Sequence, residues 1–590
     1  MKQFVFRAGN EDAFSDGLRE VQQACSRKAP SAMLIHIYCG PTDMGLVEER
    51  AGRLMETFPE AVLVGLTSGG ELMEGHLIEQ DILVSVILFA GSKVSLLVQE
   101  SILGVEAEAG RQIVKEAESI EELKAVEVLF PGADMDSISL LKEISTLPRK
   151  IRIFGCYPVG HKQTDPVILG WGSGFSGDAV LAVFYSGSDL HLDTGKSVGW
   201  EKLGPPFMVT KAEGHRLMEI NGAPALEIYK KYLRVTPEGD FFRDTVEFPL
   251  LIKVGEEEIL RHAYGFDREG ALLLAGNIEE GVEVYLTYGN PSGIYECVNE
   301  RCAALRAFEP EVILLYSCGA RRLFWGQMID LELAPFSMLA SCAGFCTGGE
   351  LMRDGQSGKI FEHNITLLSI GMREGEKKGL ALPEAKVDDS MLRGQVYLLK
   401  RLAHLVRSAN EDLRRMNEKL KYIAETDELT GLYNRRRTQE GIQGALRGTK
   451  SGVSLIMVDV DHFKRVNDSF GHDVGDLVLK GVADILKESA GEFPKAMAGR
   501  WGGEEFFLVL PEKDLKEAAG IAETVRERIE RHDFGKVKAL TASFGVVFGS
   551  GEKHYEELLR RCDEALYDSK ENGRNRVTVK EEASKPEGSR

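Results

Sequence analysis

Apolar residues recur along this chain with two periods. Short β-branched and apolar runs such as VLAVFY at Val180–Tyr185 and VEVYLTYG at Val282–Gly289, set off by glycines, predict strands. Asp16–Ala24 and Gly110–Ser119 repeat their apolar positions every three or four residues and predict amphipathic helices. Together they predict a mixed α/β architecture. Beyond Leu382-Pro383 the pattern changes. Met391–Ala424 has no proline and a single glycine, Gly394, and its apolar positions run Leu398, Leu402, Leu405, Ala409, Leu413, Met416, Leu420 and Ile423. These steps of four and three, with one step of four repeated, predict a long helix whose seam forms a coiled coil with a stutter. A lone amphipathic helix packed on its own domain would carry the same stripe.

One pattern occurs twice. Val64–Gly75 reads VGLTSGGELMEG, and Gly344–Gly355 reads GFCTGGELMRDG with one residue inserted. An apolar run ending in Cys-Gly precedes each copy, LIHIYCG and ILLYSCG, and Cys39 lies as far from Gly65 as Cys318 from Gly344. Apolar runs also follow, ILVSVILF from Ile82 and ITLLSIGM from Ile365. A strand, glycine turn and strand thus recur in two related halves. The glycines let a ligand approach the backbone, and Thr67, Ser68, Thr347, Glu71 and Glu350 are the polar side chains beside them. Turns shaped by glycine with solvated glutamates would read the same way.

At 590 residues the chain exceeds one hydrophobic core and implies three or four units. A formal charge of −20, with 43% hydrophobic and 28% charged residues, excludes a broad nucleic-acid or anionic-lipid surface. The opening MKQFVFRAGNEDAF has no export-signal core, and no apolar run approaches the roughly 18 residues of a membrane helix. A cytoplasmic, soluble protein is expected, with neither nucleic acid nor membrane as partner. Nine scattered cysteines read as reduced thiols. Cys318, Cys342 and Cys346 lack the histidine or second CxxC that would complete a zinc set and read as buried thiols.

The clearest chemistry lies in the last quarter. Leu455–Val458 predicts a buried strand ending in Asp459-Val460-Asp461, whose carboxylates share a face by two-residue alternation and suit a metal. Ala496–Trp501 and Phe506–Leu510 flank Gly502-Gly503-Glu504-Glu505, a predicted hairpin turn presenting two more carboxylates. Either cluster alone is common on protein surfaces. Their neighbours make the pattern specific: TDELTGLYNRR at Thr426–Arg436, DVDHFKRVNDSFGHDVGDLVL at Asp459–Leu479, RWGGEEF at Arg500–Phe506, SFGV at Ser543–Val546 and DEALYDSKENGRNRV at Asp563–Val577. In this order and spacing the series resembles the GGDEF family of diguanylate cyclases.

That resemblance implies a palm-like domain, a central mainly antiparallel sheet flanked by helices, which condenses two GTP into cyclic di-GMP and two pyrophosphates. It implies Mg²⁺ (or Mn²⁺) held by Asp459, Glu504 and the carbonyl of Val460, as oxygen ligands suit. It places Asn467 and Asp476 on the guanine base and the turn at Phe463 and Lys464 on phosphate oxygens. Lys570 and Arg574 fall on the β- and γ-phosphates, and Glu505 beside the attacking 3′-hydroxyl. Since each domain holds one GTP in the family, catalysis implies a homodimer. Many members carry an inhibitory product site, Arg-x-x-Asp, nine residues before the glycine pair. Here the window reads Phe493-Pro494-Lys495-Ala496, so no such site is expected. A catalytically silent GTP-binding module, or a mixed cyclic-dinucleotide synthase, is the alternative.

Residues from about Ser31 to Glu374 resemble the FIST sensory module, on VGLTSGGEL, EINGAPALEIYKKYL at Glu219–Leu233 and FCTGGELM. This implies control by an unidentified small molecule. The expected organisation is an N-terminal sensory half at 1–205, a C-terminal half at 206–380, a signalling helix at 385–424, the cyclase domain at 425–580 and a disordered tail at 581–590.

Overall fold

The computed structural model describes all residues except 41–42, 133–134, 160–166, 171–173, 237–239, 255–256, 356, 386–392, 449–451, 551–554 and 582–590, and omits the side chains of 169, 393–404 and 407. The expected tail, apart from Glu581, and the first two residues of the expected long helix fall outside the described residues. Two compact units emerge, Met1–Asn410 and Glu411–Arg590.

The first unit is built from one motif used three times. Module one runs β1 (Lys2–Arg7), α1 (Glu11–Arg27), β2 (Ala32–Cys39), α2 (Met44–Thr57), β3 (Val62–Thr67), the hairpin β4 (Glu71–Met73) and β5 (His76–Ile78), and β6 (Ile82–Phe89). Module two repeats this as β7 (Lys93–Glu100), α3 (Glu106–Ser119), β8 (Leu123–Leu129), α4 (Ser137–Ile144), β9 (Arg152–Tyr157), β10 (Ile168–Gly170), β11 (Gly174–Ser176) and β12 (Ala179–Ser186). Module three begins with β13 (Leu190–Ser197) and is interrupted over Trp200–Gly289 by strands β14 to β21 with the short helices α5 (Leu226–Leu233) and α6 (Phe241–Thr245). It resumes with α7 (Pro291–Phe308), β22 (Val312–Cys318), α8 (Gly319–Trp325), α9 (Ile329–Ser337), β23 (Ser341–Thr347), β24 (Gly349–Arg353), β25 (Ile360–His363) and β26 (Leu367–Glu374).

Each module contributes four strands to its own sheet and lends its hairpin to another. The three six-stranded sheets run β1-β6-β2-β3-β10-β11, β7-β12-β8-β9-β24-β25 and β13-β26-β22-β23-β4-β5, so the hairpins are exchanged cyclically. β2 and β3, β8 and β9, and β22 and β23 are the parallel pairs. Each pair sets one glycine opposite its neighbour: Gly65 faces Ile37, Gly155 faces Val128 and Gly344 faces Leu315. A Cβ on Gly155 would come within 1.9 Å of the Val128 carbonyl oxygen, and one on Gly344 within 1.7 Å of the Leu315 oxygen, so neither position admits a side chain. The two sequence copies are modules one and three. Module two has the same topology without the Gly-Gly-Glu that marks them.

Strands covered on both faces read as continuous apolar runs, and β6, ILVSVILF, is buried at every position. Tyr38, Phe154, Tyr185, Tyr316 and Phe345 bring aromatic rings from all three modules into one core, with Tyr38 and Phe345 stacked at 4.5 Å. At its centre the fully buried Glu127 carboxylate accepts hydrogen bonds from the Tyr185 hydroxyl at 2.5 Å and from Tyr316, with His36 Nε2 at 3.3 Å. Burial alone would raise this carboxyl; His36 and the hydroxyls hold it below its ordinary range. The insertion forms a separate eight-stranded sheet.

A single helix of 33 residues, α10 (Arg393–Glu425), carries the predicted seam, and Leu405, Leu413, Met416, Leu420 and Ile423 are all exposed on it. Leu398 and Leu402 are among the residues whose side chains are undescribed. The second unit continues with α11 (Arg435–Gly448), β27 (Val453–Val460), α12 (Phe463–Phe470), α13 (His472–Gly491), β28 (Met497–Gly502), β29 (Glu505–Pro511), α14 (Leu515–Arg531), β30 (Ala542–Gly549), α15 (Tyr555–Glu571) and β31 (Val577–Lys580). Its five-stranded sheet has the order β28-β29-β27-β30-β31 and is antiparallel except between β30 and β31. Alternation along β27 turns Ile456 and Val458 toward α13 and α14, and Leu455 and Met457 toward α11 and α15. Among the described residues no helix is long and apolar enough to cross a membrane.

Candidate active site

The α15 face of β27 ends in a carboxylate. Asp459 continues the parity of Leu455 and Met457 and pairs in register with Glu505 of β29 on one side and Ser543 of β30 on the other. Lys570 of α15 places its ammonium 2.8 Å from Asp459 Oδ2. Burial raises the Asp459 carboxyl above its ordinary range; Lys570 opposes this, while Glu504 and Asp461 push it further. Glu505 is likewise raised, first by burial and then by the Asp459 charge. Negative charge is therefore in excess here, and a cation already sits against it.

The tight turn predicted between the two strands is present. Gly502 pairs with Glu505, and Gly503 takes φ +53°, which glycine adopts without strain. The Val460 amide donates to the Glu504 carbonyl at 3.3 Å, tying the turn to the end of β27. Asp459, Val460, Glu504, Glu505 and Lys570 thus come together. The donors fit a divalent cation: carboxylates of Asp459 and Glu504 beside a strand-end carbonyl are hard oxygen ligands, and the Lys570 ammonium stands where a cation is favoured.

Asp461 does something else. The strand stops at Val460, and Asp461 lies one residue past its end on the same side as Asp459, toward Ser543, the register partner of Asp459. Asp461 is buried there and accepts hydrogen bonds from the Thr541 and Ser543 hydroxyls, both at 2.7 Å, and from the Asn575 amide at 3.1 Å. It clamps the turn after α15, where Gly573, Arg574 and Asn575 all have positive φ. Arg574 is exposed on that turn, next to Asn575, whose amide bonds Asp461.

The remaining predicted residues lie along α12 and α13. The first begins at His462, in the left-handed region and without a side-chain cap, so its leading amides at Phe463 and Lys464 have no capping partner. The Phe463 ring is buried; Lys464 is exposed. Asn467 lies over Gly475, where a Cβ would stand 1.9 Å from Asn467 Oδ1, and Asp476 follows directly. Gly475 thus brings the amide and the exposed carboxylate to one place.

The sequence reading gave no role to Arg500 and Asp427. Arg500 Nη1 lies 3.1 Å from Asp427 Oδ1, while its Nε and Nη2 donate to the Gly503 carbonyl at 3.0 and 2.8 Å. Burial alone would raise the Asp427 carboxyl; Thr430 and Arg500 hold it below the usual range. Asp427 stands two residues past α10, so this pair joins the end of the long helix to the Gly-Gly turn. The signal was available in the quoted TDELTG and RWGGEEF segments. At the window checked for a product site, Lys495 pairs with Glu512 at 3.2 Å, and Phe493 and Ala496 pack against the core.

In the first unit, Thr67, Ser68, Glu71, Thr347 and Glu350 are buried. Glu71 is the first residue of β4 and Glu350 the second of β24, strands that pair with another module's sheet, opposite Phe345 and Cys156. The Ser68 hydroxyl donates to Glu71 at 2.5 Å, and the Thr347 and Thr366 hydroxyls bond Glu350. Burial lifts Glu71 to about 7 and Glu350 to about 8. They are interior rather than solvated groups, and Glu71 Oε2 has no hydrogen-bond partner among the described residues. All nine cysteines are free, and burial pushes the Cys318 thiol up to about 12.

The family model described as "Diguanylate cyclase, GGDEF domain" matches residues 424–576. The last quarter of the chain is a GGDEF domain. The FIST N domain model matches residues 34–223 and the FIST C domain model residues 225–353, across the three-module region and its insertion. Among curated proteins, diguanylate cyclase DgcM of Escherichia coli (strain K12) is 37% identical over 187 residues, 31% of this chain and 45% of that protein. Diguanylate cyclase VdcA of Vibrio cholerae serotype O1 is 39% identical over 185 residues, 30% of this chain and 54% of that protein. The chain therefore spans about half the length of these relatives. The solved coiled coil and GGDEF domain of DgcB from Caulobacter crescentus, in complex with c-di-GMP, is 32% identical, covering 31% of this chain and 99% of that one with a TM-score of 0.28.

Proposed function

We propose that this protein is a diguanylate cyclase whose GGDEF domain joins two GTP into cyclic di-GMP, under the control of a small molecule bound by its FIST domains. The observation that carries the reading is the convergence of Asp459, Glu504, Glu505 and Lys570 at the end of β27, with its excess of negative charge. The naming of DgcM and VdcA as diguanylate cyclases supports it.

Asp459, Glu504 and the Val460 carbonyl would hold Mg²⁺ or Mn²⁺, which supplies charge neutralisation at the triphosphate and polarisation of its α-phosphorus. Asn467 and Asp476 read the guanine edge, the amide and carboxylate offering donor and acceptor together. The free amides at the start of α12 receive phosphate oxygens, and Lys570 and Arg574 bind the outer phosphates. Lys570 leaves Asp459 when nucleotide enters, exchanging one anion for another. Glu505, made more basic by burial and by Asp459, takes the proton of the attacking 3′-hydroxyl. That oxygen bonds to the α-phosphorus of the second GTP as the bond to pyrophosphate breaks. Two such steps close the ring and release two pyrophosphates. Since the 3′-hydroxyl and the phosphorus belong to different nucleotides, two domains must face each other, and the exposed seam of α10 offers a way to pair them. With Phe493–Ala496 in place of an Arg-x-x-Asp, that route of product inhibition is missing.

Glu504→Ala tests the assignment. It should lower cyclic di-GMP formation by about a hundredfold or more, with circular dichroism and melting unchanged because Glu504 sits in a surface turn. Retained activity would remove Glu504 from the ligand set.

A further inference from the structure

The turn after α15 holds three consecutive residues in the left-handed half of the backbone map: Gly573, Arg574 and Asn575 have φ of +113°, +62° and +45°. Glycine takes such values freely and asparagine tolerates them; an arginine there is strained and stays only where its surroundings fix it. Tethers on both sides do so. The Asn575 backbone amide donates to Asp461 Oδ2 at 3.1 Å. The Asn575 side chain reaches α14, its Nδ2 donating to Glu530 at 2.8 Å and its Oδ1 accepting from Arg526 at 2.9 Å. Within the turn, the Arg574 amide donates to the Ser569 carbonyl at 3.0 Å.

Asp461 ties that turn to the strand that carries Asp459. Its buried carboxylate accepts from Ser543 at Oδ1 and from Thr541 at Oδ2, both at 2.7 Å, and its own amide donates to the Thr541 carbonyl at 2.9 Å. Ser543 is in turn the register partner of Asp459. The end of β27, the start of β30 and the Arg574 turn thus share one buried anion. With its oxygens engaged by three donors of the chain itself, Asp461 holds these elements rather than substrate.

We propose that Asp461 is a positioning residue of the triphosphate site: it fixes the reach between Asp459 and Arg574. The proposal rests on the cyclase reading advanced above, which assigns Asp459 to the inner end of the triphosphate and Arg574 to its outer phosphates. A triphosphate has a set length, so groups at its two ends bind it together only when the protein holds them at a matching separation, and small misplacements are costly. Asn467 and Asp476, assigned to the guanine, lie on α12 and α13, outside this set of hydrogen bonds. Base recognition is therefore independent of Asp461.

The test titrates the full chain with 3′-deoxy-GTP, which lacks the attacking hydroxyl and stays uncondensed, and with 3′-deoxy-GMP, which lacks the outer phosphates, both in Mg²⁺. Asp461→Ala should weaken the triphosphate by about tenfold or more and Asp461→Asn by less, since its carbonyl oxygen still accepts from the Asn575 amide. The monophosphate should bind both variants within about twofold of the parent, and in an Arg574→Ala background Asp461→Ala should cost no further affinity for the triphosphate. With GTP, KM should rise while kcat changes far less. Should Asp461→Ala lose its cooperative melt, Thr541→Val and Ser543→Ala, which each take one hydroxyl from the carboxylate, carry the same pattern at about threefold. The proposal is overturned if the triphosphate binds the variants as tightly as the parent, if the monophosphate is weakened equally, or if the loss persists in full without the Arg574 side chain. A parent that binds no 3′-deoxy-GTP removes the cyclase reading and this role with it; a parent that binds it, beside variants that do not differ, removes this role alone.

Discussion

Two aspartates separated by one residue take opposite parts in the GGDEF domain. Asp459 ends the strand and faces Lys570; Asp461, one step past its end, braces Thr541, Ser543 and Asn575. Strand alternation brought both to one side; it did not show that the hydroxyls of Thr541 and Ser543 and the Asn575 amide occupy Asp461. Arg500 was hidden for another reason: its partners, Asp427 and the Gly503 carbonyl, are far apart in sequence. Arg500→Ala should loosen the Gly-Gly turn and lower turnover about tenfold or more with little change in melting, while Arg500→Lys, keeping the charge but not the fork, recovers part of it. Steady-state rates of pyrophosphate release measure both. The interior glutamates give a pH signature. Glu350 is raised from 4.5 to about 8, so the folded chain keeps a proton that the unfolded chain releases. Its stabilising contribution is complete below about pH 4.5 and is lost as pH rises through about 8. Thermal melting between pH 5 and 8 should show stability falling as pH rises, with a shallower slope in Glu350→Gln.

Elements were legible where the pattern was local. The long helix was readable from spacing, and α10 covers it from Arg393 onward. The repeated Gly-Gly-Glu segments exposed modules one and three, since a turn between strands needs those glycines. Module two escaped because its segment reads Gly155-Cys156-Tyr157-Pro158-Val159-Gly160, with Val159 where the others have the first glycine of the pair and no glutamate after the second. Hairpin exchange was also invisible, because β4, β10 and β24 pair with strands of other modules. At this scale the seam of α10 makes the sharpest prediction. Leu413 is exposed in the unpaired chain, so a charge there has no folding cost but breaks an apolar seam. Leu413→Asp should weaken self-association about tenfold or more, the equivalent of at least roughly 1.4 kcal/mol, and lower activity most at low protein concentration. Sedimentation velocity and rate against enzyme concentration check both.

Across the whole molecule, the proposed chemistry and the proposed control fall in different parts of the chain. The GGDEF domain brings together the residues to which the proposed condensation is assigned, and the three-module region holds a buried core, interior glutamates and a cavity at the meeting point of its modules. The link proposed between them is a population of paired domains that small-molecule binding raises or lowers through α10. The central claim is the condensation itself. Incubating the full chain with GTP and Mg²⁺ and separating the nucleotides tests it most directly: the account predicts cyclic di-GMP with two pyrophosphates released per molecule, and GTP recovered unchanged, or a cyclic dinucleotide containing another base, would contradict it.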